Sequence, residues 1–188
     1  IMDQSESLNA GILAACAAET AVPPPQPQRT LVVTGVARSG TSMMAALLRR
    51  IGVYMGERML AVVDEDADIQ TALTHGRLDW FAELVAARDR MHPIWGFKVP
   101  NLHSLMPLDQ FALLRNPRLI VIVRDPVAVA VRHALAEQLQ TNRMLTAVAD
   151  SIASMMRYAD AAGCPAMYLS YEKALAFPEV VIAELLAF

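Results

Sequence analysis

The sequence predicts an α/β fold in which a parallel β-sheet lies between layers of helices. Short runs rich in β-branched residues recur along the chain, and stretches with apolar residues at helical spacing separate them. Strands that alternate with helices are typical of parallel sheets with right-handed crossovers. A glycine-rich loop and three cationic side chains also follow predicted strands. Because parallel strands end at one edge of the sheet, a ligand is expected at that edge.

The segment before the first strand of this sheet is predicted to be separate from it. Residues 8–21 are rich in alanine and are expected to form a short helix. The proline-rich stretch 23–28 then predicts a stiff, extended connector. We therefore expect an N-terminal helical segment with its linker over residues 1–28, and one larger domain over 29–188.

The first predicted strand covers Leu31 to Thr34, and it runs into the segment Gly35-Val-Ala-Arg-Ser-Gly-Thr-Ser42. The spacing of its two glycines is that of a P-loop, in which backbone N–H groups and the start of the next helix bind an anion. Apolar residues at helical spacing follow the loop up to Gly52. The lysine of ATP- and GTP-binding loops is replaced by Thr41, and a cation stands earlier, at Arg38.

The middle of the chain contains two further strands. An acidic stretch, 64–68, precedes two helical segments, and the second of these has its apolar face at Leu78, Phe81, Leu84 and Val85. Residues 94–99 form the second predicted strand, which contains Lys98. Residues 119–123 form the third strand, which is followed by Arg124.

The last third of the chain is predicted to alternate helix, strand and helix. Asp125 and Pro126 are typical of a helix N-cap and first turn, and the helix carries the apolar residues Val127, Val131 and Leu135. The longest helix is expected over 142–162. Its inward residues are predicted to be Leu145, Val148, Ile152, Met155 and Ala159. Residues 166–170 form the fourth strand, and Pro178 opens a terminal helix.

Composition limits the kinds of partner. The chain has 188 residues and a net charge of −3, so a general attraction to nucleic acid or to an anionic membrane is not expected. No apolar run reaches the ~20 residues of a membrane-spanning helix. Asp3 and Glu6 argue against a secretory signal, and Cys16 and Cys164 read as free thiols, so we expect a cytoplasmic protein. The hydrophobic content of 55% fits a sheet buried on both faces, and also a homodimer surface or a domain of a longer chain.

The loop, with arginine before Ser-Gly-Thr, resembles the 5′-phosphosulfate-binding loop of sulfotransferases that use 3′-phosphoadenosine-5′-phosphosulfate (PAPS). This form is similar to that of the bacterial and the tyrosylprotein/carbohydrate-type enzymes. The resemblance implies a P-loop NTPase-like sulfotransferase fold, flanked by helices in three layers. It also implies that the donor's 5′-phosphosulfate is bound by a set of loop residues: Gly35, Arg38, Ser39, Gly40, Thr41 and Ser42.

The segment from Leu119 to Pro126 resembles the family's strand that runs into Arg-x-Pro. There the arginine binds the donor's 3′-phosphate, which implies this role for Arg124. A serine that adds a hydroxyl eight residues later in the family is Arg132 here. We expect Arg132 to bind the same phosphate as a second guanidinium, because such a group can bind a phosphate bidentately.

The segment Trp95-Gly-Phe-Lys-Val-Pro100 resembles the family's Gly-x-Lys-x-Pro, although an Asp-Pro usual in the family is Val-Pro here. The resemblance implies that Lys98 contacts the sulfuryl region, where a cation would stabilise charge on the bridging oxygen together with Arg38. Glu65 lies in a Glu-Asp pair similar to the one that supplies the catalytic base in related enzymes. Three other residues are alternative candidates for the base: Glu57, His75 and His103.

The resemblance implies an enzyme that transfers a sulfuryl group from PAPS to a hydroxyl or amine and releases adenosine 3′,5′-bisphosphate. The acceptor is expected to be a small molecule, a glycan or a peptide, and no metal is expected. Two alternatives stay open. One is a P-loop ATP-dependent kinase with Asp125 on Mg²⁺, and the other is a nucleotide-binding module without catalytic activity.

Overall fold

The computed structural model describes residues 9–16, 21–57, 59–60, 65–138 and 140–188. Five strands form the main sheet: β1 (Ile12–Ala15), β2 (Arg29–Gly35), β5 (Ile94–Lys98), β6 (Pro117–Val123) and β7 (Ala166–Ser170). Their order is β1-β7-β6-β2-β5, and all neighbours are parallel except β1, which is antiparallel to β7. A small antiparallel pair, β3 (Met59–Leu60) and β4 (Glu65–Asp66), stands apart from it. The predicted α/β fold with a mostly parallel sheet is confirmed.

Seven helices are described: the first five lie between strands of the main sheet in the chain, and the last two follow β7. They are α1 (Thr41–Arg50), α2 (Ala67–Thr74), α3 (Leu78–Met91), α4 (Pro126–Glu137), α5 (Thr141–Ala161), α6 (Tyr171–Ala176) and α7 (Pro178–Ala187). Two 3₁₀ segments, Leu102–Ser104 and Leu108–Leu113, lie between β5 and β6. In the described part of the chain, no helix is long and apolar enough to cross a membrane.

Both faces of the sheet are buried, which explains why its strands are apolar throughout instead of alternating. Val32 of β2 and Val121 of β6 belong to a core shared with α2 to α5. Their neighbours Val33 and Ile122 point to the opposite face, into a core shared with α1, α6 and α7. The fold is therefore a sheet between two layers of helices, as predicted.

The prediction of a helix over residues 8–21 is wrong for its middle part, Ile12–Ala15. Ile12–Ala15 forms the edge strand β1, which pairs with β7 from Ile12 opposite Leu169 to Ala15 opposite Ala166. Ile12 is buried at 2% exposure in the core on the α1 side of the sheet. The segment before the proline-rich connector is therefore part of the same sheet as the larger domain. Residues 1–8 and 17–20 lie outside the described residues.

The apolar residues that the sequence analysis names on α4 are exposed. Val127, Val131 and Leu135 have exposures of 54%, 39% and 77%. The face that packs is made by smaller residues, including Ala130 and Ala134. Small side chains allow two helices to approach closely, and α4 packs against α5 in this way.

On α5 the predicted inward face is only partly correct. Val148, Met155 and Ala159 are buried and Ile152 is half-buried, but Leu145 is exposed at 36%. The helix therefore packs along its middle and C-terminal part. Its first turns extend beyond the core.

Candidate functional site

The loop between β2 and α1 is a tight turn with two residues in the left-handed region. Ser39 N–H donates to the carbonyl of Val36 at 3.0 Å, which closes the turn. Arg38 has φ 73° and Gly40 has φ 103°. Left-handed residues within a short loop turn its backbone N–H groups toward one concave side, where they can bind an anion. The predicted strand–loop–helix unit is therefore present, with Arg38 exposed on the loop.

Both glycines of the loop are required by close packing. A Cβ at Gly35 would clash with the side chain of Ser39 and with the carbonyl of Ile122. A Cβ at Gly40 would overlap the ring of Tyr171, which lies directly against the loop. The two glycines of the sequence motif therefore stand at positions where the packing leaves no room for a side chain.

The start of α1 differs from the starts of α2 and α4. Asp66 caps α2 by accepting from the N–H groups of Asp68 and Ile69, and Asp125 caps α4 by accepting from Val127 N–H. Within the described residues, α1 has no side-chain cap and no acidic residue in its first turn. Its first N–H groups and the positive end of its dipole therefore face the loop. Such a helix start favours an anionic ligand.

Ser39 adds a polar atom inside the same loop. Its side chain is 1% exposed, and its Oγ has no hydrogen-bond partner among the described residues. A buried hydroxyl without a partner is costly in a folded protein. An anion bound in the loop would supply the acceptor that this hydroxyl lacks.

Lys98 connects the end of β5 with the loop and with β4. Its Nζ lies 3.0 Å from Glu65 Oε1 and donates to Ser42 Oγ at 3.3 Å. The lysine side chain is 2% exposed, and that of Glu65 is 12% exposed. The turn after Lys98 is fixed to β2, because Val99 N–H donates to Val33 O at 3.0 Å and Asn101 N–H to Gly35 O at 2.9 Å. The structure therefore brings Lys98, Glu65 and Ser42 together.

The two acids of the Glu-Asp pair have different surroundings. Glu65 faces Lys98, whereas Asp66 caps α2 and forms a buried ion pair with Arg88. Burial raises the pKa of Asp66, and the opposing charge of Arg88 only partly offsets this effect. Asp66 therefore has a structural role, and Glu65 is the carboxylate of the pair that lies at the loop's lysine.

The alternative bases are less well placed. Glu57 is exposed, and the Nδ1 atom of His75 lies 2.9 Å from Thr71 O at the end of α2. Burial lowers the pKa of His103, and its buried Nδ1 has no hydrogen-bond partner among the described residues. None of the contacts found for these three residues involves Lys98. The choice of Glu65 as the base stays a prediction.

Arg124 lies on the other side of the loop from Lys98. Its Nη1 donates to the carbonyl of Arg38 at 3.2 Å, and its Nε lies 3.8 Å from Glu172 Oε1. The guanidinium also stacks on the ring of Tyr171, 4.7 Å from its centroid. Arg124 is thus held at the loop by three contacts. Arg38, Lys98 and Arg124 all lie at the carboxyl edge of the sheet, and their roles in binding a ligand stay a prediction.

Arg132 is exposed on α4, and the α4 side chain that contacts the loop is its neighbour His133. Nε2 of His133 lies 3.0 Å from Ala37 O, and its Nδ1 lies 3.4 Å from Glu137 Oε1. The role predicted for Arg132 at the 3′-phosphate stays a prediction.

Two residues at the site were not predicted from the sequence: His133 and the packing role of Tyr171. His133 could have been found from helix register, because it follows the cap Asp125 and the buried Val129 at intervals of four residues. Tyr171 begins a short helix directly after β7, so its position at the sheet edge follows from the strand end. Its contact with Gly40 depends on the three-dimensional order of β7, β6 and β2.

Comparisons with known proteins give little further information. No protein-family model matches the chain, and no curated protein matches it. Among solved structures, TT1252 from Thermus thermophilus is 16% identical with a TM-score of 0.42, covering 84% of this chain and 98% of that one. PAB0955, a GTPase from Pyrococcus abyssi solved in its apo form, is 11% identical with a TM-score of 0.41, covering 87% of this chain and 98% of that one. Neither similarity is strong enough to carry a functional assignment.

Proposed function

We propose that this protein is a sulfotransferase that transfers the sulfuryl group of PAPS to a hydroxyl or amine acceptor. The observation that carries the proposal is the contact of Lys98 with both Glu65 and Ser42 at the start of α1. These contacts join a cation, a carboxylate and the anion-binding loop within one small region. The PAPS-dependent enzymes that the sequence resembles catalyse a reaction that would use the cation, the carboxylate and the loop together.

The loop has the features needed for the anionic part of such a donor. Its helix start lacks a carboxylate cap within the described residues, and the buried Ser39 hydroxyl has no partner there. Arg38 lies in the loop, and Arg124 donates to its carbonyl, so both arginines add positive charge at the loop. Tyr171 presents an aromatic ring beside Arg124. We propose that Arg124, with Arg132, binds the 3′-phosphate that distinguishes PAPS from ATP.

In the proposed reaction, the acceptor oxygen or nitrogen attacks sulfur while the bond from sulfur to the bridging phosphate oxygen breaks. The acceptor loses its proton to Glu65, and the electron pair of the broken bond stays on the bridging oxygen of adenosine 3′,5′-bisphosphate. Lys98 and Arg38 stabilise the negative charge that develops there, which is the electrostatic contribution expected of fixed cations in such a site. The ion pair with Lys98 holds the Glu65 carboxylate beside the loop, 3.0 Å from the lysine Nζ.

A magnesium-dependent kinase is the competing proposal for the same loop. It would need a carboxylate such as Asp125 to bind the metal. The Oδ1 atom of Asp125 accepts from Val127 N–H at 2.8 Å as the cap of α4, so this carboxylate already has a structural partner. Among the described residues, no group of three or more metal-binding side chains is assembled. That the reaction needs no metal stays a prediction.

The experiment that tests the proposal is a transfer assay with PAPS and a panel of phenol, amine and sugar acceptors, in the presence of EDTA. We expect adenosine 3′,5′-bisphosphate and a sulfated acceptor to form in equal amounts with at least one acceptor class. Binding of PAPS without product from any class would support the module without catalytic activity instead. In a parallel assay with Mg-ATP and no EDTA, transfer of phosphate to an acceptor would contradict the proposal.

A further inference from the structure

A cleft of about 570 Å³ opens at the amino edge of the sheet, opposite the edge that carries the loop. It is lined by the start of β6, the 3₁₀ segment around Phe111, the turn from Ala162 to Pro165, and the prolines of the connector. Its size lies within the range of about 300–1,000 Å³ that is usual for small-molecule sites. Most of the side chains that line it are apolar, so it suits a ligand with a hydrocarbon body.

The cleft also contains a buried cation, Arg118, which is 4% exposed. Its Nη2 donates to the carbonyl of Pro23, and its guanidinium lies 4.9 Å from the ring centroid of Phe188. Both partners are neutral. Among the residues that the structure describes, none of the ion pairs involves Arg118.

Among the described residues, no carboxylate forms an ion pair with Arg118 to compensate its charge. Burial lowers the pKa of Arg118, and the like charge of Arg29 at the start of β2 lowers it further. Cys164 is a neighbour, but burial raises the pKa of its thiol to about 11, so it is neutral at physiological pH. A buried charge without a counterion is strongly unfavourable. The fold nevertheless keeps this arginine in the wall of an open cleft.

We propose that this cleft binds the carboxylate of a small amphipathic acid, with Arg118 contacting the carboxylate and the apolar lining contacting an aryl or alkyl body. A guanidinium matches the planar geometry of a carboxylate and can bind it through two parallel hydrogen bonds. A single buried cation suits a monoanion. The cleft lies at the other edge of the sheet from the loop, so this inference does not depend on what the loop binds.

Matched ligand pairs test the proposal directly. Octanoate and phenylbutyrate are compared with octanamide and phenylbutyramide, which have nearly the same shape but no charge, by calorimetry and by chemical-shift changes. We expect the acids to bind roughly ten- to a hundredfold more tightly than their amides, the range for hydrogen bonds to a charged group. Equal affinities of acid and amide, or an equally tight response to inorganic phosphate, would overturn the proposal.

Variants of the protein separate the cleft from non-specific binding. Arg118→Met should remove the preference for the acids, whereas Arg157→Met, at an exposed arginine of α5, should keep it. Ala112→Trp, at an exposed position in the lining, should fill the cleft and weaken acid and amide alike. A last variant controls for a carboxylate of the chain itself that could bind Arg118. Glu19 precedes the connector and lies outside the described residues, and Glu19→Gln should leave acid binding unchanged. Acid binding that survives both Arg118→Met and Ala112→Trp would contradict the proposal, as would acid binding that appears only in Glu19→Gln.

Discussion

The two edges of the sheet hold their buried cations in different ways. At the carboxyl edge, Lys98 is 2% exposed and lies 3.0 Å from the carboxylate of Glu65. At the amino edge, Arg118 is 4% exposed and contacts a backbone carbonyl and an aromatic ring. Burial is therefore almost equal at the two positions, and the difference is the presence of a carboxylate partner.

This difference indicates two ways of using a buried charge. Glu65 and Ser42 together fix the orientation of the Lys98 side chain before any ligand arrives. Arg118 has lost much of its hydration without gaining a counterion among the described residues. An external anion would therefore stabilise Arg118 more than Lys98. Under the two proposals made above, the carboxyl edge would act as a preorganised catalytic site and the amino edge as a binding site.

The largest effect is expected for catalysis at the carboxyl edge. In the proposed transfer reaction, Lys98→Ala should lower turnover by about 10²–10³-fold and change donor affinity less, because its charge matters most when the bridging oxygen becomes negative. Lys173→Ala removes the chain's other lysine, which is exposed, and should leave turnover unchanged. Near-normal turnover in Lys98→Ala would make this lysine an ordinary strand-end cation.

The stability of the fold should respond in opposite directions at the two edges. Lys98→Met leaves the mostly buried carboxylate of Glu65 without its partner, and we expect it to lower the free energy of unfolding by about 3 kcal/mol. Arg118→Met removes a charge that has no carboxylate partner, and we expect the free energy of unfolding to stay within about 1 kcal/mol or to rise. Urea denaturation measures both. A larger loss in Arg118→Met than in Lys98→Met would contradict the comparison.

The third prediction concerns the donor's 3′-phosphate. We propose that Arg132 binds that phosphate with Arg124. Arg132→Ala should then weaken the binding of adenosine 3′,5′-bisphosphate by roughly 1.5–3 kcal/mol, the range for a hydrogen bond to a charged group. Adenosine 5′-phosphosulfate has no 3′-phosphate, and its affinity should hardly change. Calorimetry with the two ligands measures this difference. Equal losses, or no loss for either ligand, would place Arg132 outside the phosphate site.

A smaller difference is expected between the two glycines that flank α1. Both have positive φ, 103° at Gly40 and 95° at Gly52, so Ala at either position strains the backbone. Only Gly40 also meets the ring of Tyr171, whereas Gly52 faces open space. Gly40→Ala should therefore destabilise the protein by about 1–3 kcal/mol more than Gly52→Ala, the usual cost of overpacking. Equal melting temperatures for the two variants would show that Tyr171 does not pack against the loop.

The parts of the fold that could be predicted are those with a local cause. The parallel strands are continuous apolar runs because both faces of the sheet are buried, and α4 begins where Asp125 and Pro126 require it. β1 could not be predicted in this way. Its alanine-rich sequence carries a helix-like signal, and its hydrogen bonds come from β7, more than 150 residues away in the chain.

The site could be predicted only in part for a related reason. Lys98 ends a strand, and Arg38 and Arg124 each follow one, so their edge of the sheet was evident from topology. Which acid meets Lys98 depends on the separate β3–β4 pair, and which α4 residue meets the loop depends on the packing of α4 against α5. The periodic residues Val127, Val131 and Leu135 of α4 are exposed, and the alanines Ala130 and Ala134 are among the residues that form the close contact.

The most direct test of the account is a calorimetric comparison of adenosine 3′,5′-bisphosphate with ATP, each with magnesium and with EDTA. The account predicts that the bisphosphate binds equally well in EDTA and raises the melting temperature, with about 2.7 kcal/mol of stabilisation at a hundredfold excess over Kd. ATP should bind weakly under both conditions. Tight, magnesium-dependent binding of ATP together with no response to the bisphosphate would contradict the central claim.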